Sequence, residues 1–214
     1  MQKQIIDQAL LFVKDIFEKD FSGHDYFHTL RVFKTATYIA EKENTDVELV
    51  QLVALLHDVD DVKLSPDTHK NKDNARKFLQ NNGVDTQTID CICQMIGQIS
   101  FVGKDSVTPS TLEGKCAQDA DRLDAIGAIG IARAFAYGGN HNRMMHNPDV
   151  KPNLDMTEEE YRKSESTTIN HFYEKLFKLS SMMSTATAKQ IATARNVYMQ
   201  NFVDEFMAEW DGLK

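Results

Sequence analysis

The sequence predicts an all-α protein of eight or more helices, and three observations carry that expectation. Apolar residues recur at three- and four-residue spacing along most of the chain. No segment alternates apolar and polar residues as a half-buried strand would. Only 4 prolines interrupt 214 residues, and no repeat or low-complexity linker divides them. The expectation is therefore a single domain over residues 1–214, with a core at about 20–135 and C-terminal helices at about 157–211 packed on it.

The elements follow in order. Ile5, Ile6, Ala9, Leu10, Val13, Ile16 and Phe17 place one buried face on a first helix. A second runs from about Asp25, its candidate N-cap, to Glu43, with Phe27, Leu30, Phe33, Ala36, Ile39 and Ala40 inward. Thr45-x-x-Glu48 has the capping-box pattern that opens a third helix, whose apolar run Leu52-Val53-Ala54-Leu55-Leu56 ends in His57-Asp58. Polar sequence around Pro66 predicts a loop, then a short helix from Asn71 to Asn82 stopped at Gly83. Asp85 or Thr86 caps the next helix, with Ile89, Ile92, Cys93 and Ile96 inward. After a loop at Gly103–Pro109, Ser110 starts the long segment that carries Asp121, where Gly127 and Gly130 permit close packing. Residues 138–155, rich in Gly, Asn, Pro, His and Met, read as a loop long enough to be functional. Thr157-x-x-Glu160 is a second capping box, opening a helix to about Leu179, and a last helix spans about Thr185 to Trp210.

Composition narrows the function classes. A net charge of -8 argues against a broad nucleic-acid or anionic-membrane surface, which needs clustered Lys and Arg. No stretch approaches a membrane span, and the N-terminal sequence lacks the compact apolar core and cleavage site of a signal peptide. Cys91, Cys93 and Cys116 form no C-x-x-C and read as reduced packing residues, so a cytoplasmic protein is expected. There is no P-loop and no G-x-G-x-x-G, so phosphates would be held by a metal and local cations rather than by a glycine cradle. No paired Glu-x-x-His and no H-E-x-x-H occurs, which removes the di-iron bundle and zinc-protease readings.

The feature with chemistry in it is His57-Asp58, a polar pair directly after five apolar residues. With His28 before it and Asp121 after it, the chain supplies two imidazoles and two carboxylates, a donor set suited to a borderline divalent cation. Any one of these histidines alone is more commonly a satisfied core residue than a ligand.

The motif contexts are specific. His24-Asp25-Tyr-Phe-His28-Thr-Leu-Arg31-Val32, Leu55-Leu56-His57-Asp58-Val59-Asp60-Asp61 and Ala120-Asp121-Arg122-Leu123 resemble, in order, the H-D-x-x-H-x-x-R-V, L-L-H-D-x-x-[DE] and A-D-R-L motifs of the HD-domain metal-dependent phosphohydrolases. The run from Asp119 to Arg133, followed by Tyr137-Gly-Gly, is most similar to the small stand-alone bacterial YpgQ/YedJ-like subgroup. The resemblance is specific over roughly the first 135 residues.

It implies one divalent metal ion held by His28, His57, Asp58 and Asp121, with Asp124 as the rival to Asp121. Only His69 lies where two-metal relatives carry two further histidines, which favours a mononuclear site. Mn²⁺ is the first choice; Ni²⁺, Co²⁺, Fe²⁺, Mg²⁺ and Zn²⁺ remain open. It further implies catalytic parts for Asp58 and Asp61, the latter orienting water or accepting its proton. Asp60 and Asp61 are alternatively helix caps or solvated loop residues. Substrate contacts are expected from among His24, Arg31, Lys63, His69, Lys72, Arg122, Asp124 and Arg133, although each arginine is alternatively a structural ion-pair partner. His141, Arg143 and His146 are either solvated loop residues or substrate contacts.

The resulting expectation is hydrolysis of a phosphate ester or anhydride in a small phosphorylated substrate. A nucleotide is favoured, such as a nucleoside or deoxynucleoside triphosphate cleaved to release pyrophosphate. The competing reading is a metal-containing domain that senses a nucleotide without turning it over. Neither reading calls for a nucleic-acid polymer or a membrane, and monomer and homodimer are both open.

Overall fold

The computed structural model describes residues 2–18, 25–62, 65–101, 105–157, 159–160 and 166–214. All the regular structure among them is helical, as the spacing predicts: α1 (Gln2–Phe17), α2 (Tyr26–Glu43), α3 (Val47–Leu56), α4 (Asp73–Asn81), α5 (Thr86–Ile96), α6 (Leu112–Asp124), α7 (Gly127–Asn140), α8 (Thr168–His171), a π-helical turn (Phe172–Leu176), α9 (Phe177–Ser181) and α10 (Ala186–Trp210). No described helix is long and apolar enough to cross a membrane. The chain divides into two compact units, Met1–Ser100 with Val107–Asp121, and Phe101–Ser106 with Arg122–Lys214.

In the first unit α3 is the central helix. Every position from Leu52 to Asp60 is buried, which an all-round apolar helix requires. Packed on it are α1 through Ile6, Ala9, Val13 and Phe17, and α5 through Ile89, Ile92, Cys93, Met95 and Ile96. The larger of these, Phe17 and the isoleucines, are worth about 2–5 kcal/mol each against truncation to alanine. The three cysteines are free thiols. Burial, then the nearby Asp119, Glu43 and Glu113 carboxylates, push the Cys116 thiol up to about 12, so it packs rather than reacts.

Several expected element ends move by a residue or more. Asp46, not Thr45, caps α3, its side chain accepting the Leu49 N–H at 3.0 Å, while the Thr45 hydroxyl donates to Glu113 on α6. Thr111 rather than Ser110 opens α6, accepting the Gly114 N–H at 3.1 Å. Asp25 caps α2 and Asp85 caps α5, and α4 ends at Asn81 with Gly83 just beyond at φ 73. The inward face of α2 is also rotated from the expected one. His28, Thr29, Val32, Ala36, Ile39 and Ala40 are buried, whereas Phe27 is 66% exposed. Burying the His28 ring fixes the phase of the first turn and turns its neighbour outward.

In the second unit α7 and α10 pack together, and Phe135, Phe172, Phe202 and Phe206 form an aromatic cluster with ring centroids 5.8–6.3 Å apart. The long segment expected after Ser110 breaks at Ala125-Ile126, where Gly127 restarts the helix at φ 76. Gly138 and Gly139 lie in the last turn of α7 and not in a loop. A Cβ at Gly138 would stand 2.4 Å from Thr168 Oγ1, so the absence of a side chain lets α8 approach. Thr157 and Glu160 make the expected reciprocal capping bonds. The helix expected to run on to Leu179 is, however, not continuous. Thr167 is extended, and its hydroxyl accepts the Asn170 N–H at 3.1 Å to cap a new start. The carbonyls of Met144 and Met145 take the next two orphan N–H groups, from Thr168 and Ile169, at 2.9 Å each.

Candidate metal centre

Three successive local structures deliver the donors, all within the first unit. Asp25 Oδ1 accepts the His28 N–H at 2.6 Å, so the aspartate of the H-D-x-x-H pattern caps the helix that carries the histidine. His57 is the C-cap of α3, where the helix gives way to a turn over residues 57–60. Leaving the helix at this point lets adjacent residues serve one site, which an ideal helix would splay by about 100°. Asp121 lies near the end of α6.

Their side chains converge. The donor atoms of His28, His57 and Asp58 all lie within 4.8 Å of one another. His28 Nε2 is 3.3 Å from His57 Nε2 and 3.4 Å from an oxygen of Asp58. Asp121 Oδ1 stands 3.4 Å from His28 Nε2 and 3.8 Å from His57 Nε2. The Asp121 side chain is 26% exposed, against 1–6% for the other three, so the cluster opens to solvent on its side.

The local bonds prepare the donors. The His57 Nδ1–H donates to the Ala54 carbonyl at 2.9 Å, which fixes the tautomer that presents Nε2. Burial opposes charge on this ring, but the Asp58 carboxylate 3.1 Å away, then Asp121 and the Ala54 carbonyl, outweigh it and raise its pKa to about 9. Two imidazoles and two carboxylates facing one point, with one open side, fit a divalent cation.

Asp60, read from sequence as a cap or a loop residue, acts as a cap at long range. Fully buried, it accepts the N–H groups of Asn74 at 3.1 Å and Ala75 at 3.0 Å, on the N-terminal turn of α4. Asn74 Nδ2 returns a bond to the Val59 carbonyl at 3.0 Å, and His69 Nδ1 donates to the Asp60 carbonyl at 2.8 Å. The turn that carries Asp58 and Asp61 is therefore clamped from two sides. Asn74 was not singled out by sequence, and an asparagine one residue into a helix carries no signal that could have found it.

The remaining expected site residues are placed as follows. Asp61 is partly buried, its N–H closing onto the Asp58 carbonyl at 3.0 Å. Arg31 is partly buried on α2, three residues after His28. His69 and Lys72 are in contact, 3.3 Å apart. Three residues lie in the second unit. Asp124 is buried and ion-paired with Arg133 at 2.6 Å, and Arg122 is buried with its guanidinium donating to the Met182 carbonyl at 2.7 Å. His141 stacks on Tyr137 at 3.8 Å, Arg143 lies over the same ring, and His146 meets Trp210 edge-on. His24 and Lys63 lie outside the described residues.

Comparison with known proteins agrees with the all-helical fold. Residues 25–126 match the HD domain family. The chain belongs to that family. Among its members it is similar to the uncharacterised protein YpgQ of Bacillus subtilis, with 35% identity over 209 residues, 97% of this chain and 94% of YpgQ. A crystal structure of YpgQ in complex with ADP superposes with a TM-score of 0.77 at 34% identity, covering 98% of this chain and all (100%) of that one. A Lactobacillus plantarum protein gives a TM-score of 0.89 at 37% identity, and an HD-superfamily hydrolase of Bacillus thuringiensis 0.77 at 38%, each covering 99% of both chains.

Proposed function

We propose that this chain is a divalent-metal-dependent phosphohydrolase acting on a nucleotide, with a nucleoside or deoxynucleoside triphosphate cleaved to release pyrophosphate as the leading case. The observation that carries the reading is the convergence of the His28, His57, Asp58 and Asp121 donor atoms at an opening to solvent. The ADP bound in the YpgQ crystal structure supports a nucleotide as the substrate class.

In this reading those four residues hold one cation, Mn²⁺ first among those the donors suit. A divalent ion there supplies Lewis acidity towards a phosphoryl oxygen and towards water. The protein does the rest. The Ala54 carbonyl keeps His57 in one tautomer, and the Asp60 clamp holds the turn on which Asp58 and Asp61 sit. Asp61, carried one turn beyond Asp58, accepts the proton of the attacking water as its oxygen bonds to phosphorus and the pyrophosphate oxygen leaves. His69, Lys72 and Arg31 are the described candidates for neutralising charge on the phosphates.

The test is a panel of nucleotides and phosphoesters screened across Mn²⁺, Ni²⁺, Co²⁺, Mg²⁺ and Zn²⁺, with products identified by mass. Pyrophosphate release with nucleoside monophosphate supports the leading case. Orthophosphate release moves the cleaved bond. Saturable nucleotide binding with no product at any metal replaces the enzyme with a sensor.

A further inference from the structure

Helices α4 and α10 end in the same way. α4 stops at Asn82-Gly83, the only Asn-Gly in the sequence, and α10 at Asp211-Gly212, the only Asp-Gly. Each glycine is left-handed, at φ 73 and φ 68. At α4 the Gly83 N–H donates to the Gln80 carbonyl at 3.0 Å and the Val84 N–H to the Leu79 carbonyl at 3.1 Å. At α10 the Gly212 N–H donates to the Glu209 carbonyl at 3.1 Å and the Leu213 N–H to the Ala208 carbonyl at 2.9 Å. These are the paired bonds of a Schellman motif.

The Asn82-Gly83 dipeptide carries chemistry of its own. The main-chain nitrogen after an asparagine can attack the asparagine Cγ, and glycine, having no side chain, obstructs that approach least. Gly83 is open on its outer side, where a Cβ would meet nothing within 4 Å. The helix end holds the reaction off in three ways. The Gly83 N–H is engaged by the Gln80 carbonyl. Asn82 Nδ2, which must leave, donates to the Phe78 carbonyl at 2.8 Å. At ψ 12 the Gly83 nitrogen is turned away from Asn82 Cγ, so the two cannot close a five-membered ring. Attack therefore requires the last turn of α4 to open. Packing resists that opening, because Leu79 is fully buried in the core of the first unit and Val84 packs against the same core. At α10 the equivalent residue, Leu213, is 77% exposed.

We propose that Asn82 is a deamidation site gated by opening of the last turn of α4, and that its modification loosens that turn irreversibly. The Gly83 nitrogen gives up its proton and bonds to Asn82 Cγ; the Cγ–Nδ2 bond breaks and ammonia leaves. Water then opens the resulting succinimide at either carbonyl, giving aspartate or isoaspartate. Neither product restores the helix end. Isoaspartate places an extra CH2 in the main chain, inside the loop that both Schellman bonds close. Aspartate sets an acceptor-only carboxylate against the Phe78 carbonyl, at the negative end of the α4 dipole. Asp211 passes through the same ring with water as the leaving group, from a helix end that lacks the packing of α4. The proposal stands independently of the phosphohydrolase reading.

The experiment ages the full chain at mildly alkaline pH, in buffer and in denaturing urea, and follows both dipeptides by peptide mapping. Asn82 should convert to aspartate and isoaspartate, one mass unit heavier, at least about tenfold more slowly in buffer than in urea. Asp211 should be slowed by a smaller factor, a ratio that cancels its different intrinsic rate. Val84→Ala keeps the Asn-Gly and removes packing from the turn; it should speed conversion of Asn82 in buffer by about threefold or more and leave Asp211 at the parent rate. Should that variant unfold, hydrogen exchange of the Gly83 and Val84 amides in the parent carries the test, and conversion should rise with exchange as sub-denaturing urea is added. The converted fraction, separated by ion exchange, should melt below the unmodified chain. Equal rates at Asn82 in buffer and urea overturn the gate. An Asn82 that stays intact in the folded parent while amide exchange shows the turn opening overturns the site. A converted fraction that melts with the parent overturns the loosening.

Discussion

The metal-centre cluster of the first unit and the buried charges of the second unit are arranged in opposite ways. In the second, buried charge is answered locally: Asp124 by Arg133, Arg122 by the Met182 carbonyl, and Glu174 by the Asn153 N–H and the Ser166 hydroxyl. In the first, two imidazoles and two carboxylates point at one another, with nitrogen–oxygen distances of 3.1–3.8 Å. Pairing each group with its complement serves stability. Gathering neutral imidazole and carboxylate donors around one point suits a divalent ion. The same residue types thus have structural work in one unit and candidate chemistry in the other, and burial alone does not tell them apart.

The contrast can be broken most directly at Asp58. Asp58→Ala should abolish metal uptake and lower turnover by about a thousandfold or more, read by metal analysis and product formation. A variant that keeps stoichiometric metal and turnover removes the metal centre as assigned. Asp61→Ala should keep its metal and still lose about 10²–10⁴-fold in kcat, and full activity would strip Asp61 of its proton-accepting role. Asp60→Ala tests the clamp: metal affinity should fall by about 10–100-fold while the four donors remain, and unchanged affinity would make Asp60 merely a helix cap.

In the second unit, Asp124→Ala should cost about 1–3 kcal/mol of stability in a denaturant titration and leave metal binding intact. Metal lost in Asp124→Ala but kept in Asp121→Ala would reverse the choice of last ligand. The smallest effect concerns pH. Burial, then Lys175 and Arg143, pull the partly buried His171 down to about 3 from an unfolded value near 6.5. The unfolded chain therefore takes up a proton there first, so this contribution to stability is complete above pH 6.5 and lost as pH falls towards 3. The loss should reach at most about 2 kcal/mol between pH 7 and pH 5, and His171→Gln should flatten that part of the profile.

Much of the site was legible because its motifs are local. Asp25 and His28 lie within one helical turn, and the apolar run into His57-Asp58 names both the central helix and its end. Asp121 and Asp124 lie three apart on α6, where sequence does not choose between them; in the structure Asp121 Oδ1 stands 3.4 Å from His28 Nε2, while Asp124 is ion-paired with Arg133. Apolar spacing through Phe27 gives α2 a rotated face, because the buried His28 sets the phase. The break at Thr167 is not legible in sequence, because a threonine N-cap resembles any polar residue inside a helix.

By itself the sequence determined the helical class, several helix ends and the family motifs, since these rest on spacing and capping within a few residues. Tertiary structure alone decided that Asp60 caps a helix 13 residues away, that Asn74 returns a bond to the Val59 carbonyl, and that His69 donates to the Asp60 carbonyl. Those are contacts between elements, fixed by how buried faces pack, and no periodicity along the chain encodes which polar atoms that packing brings within 3 Å of each other.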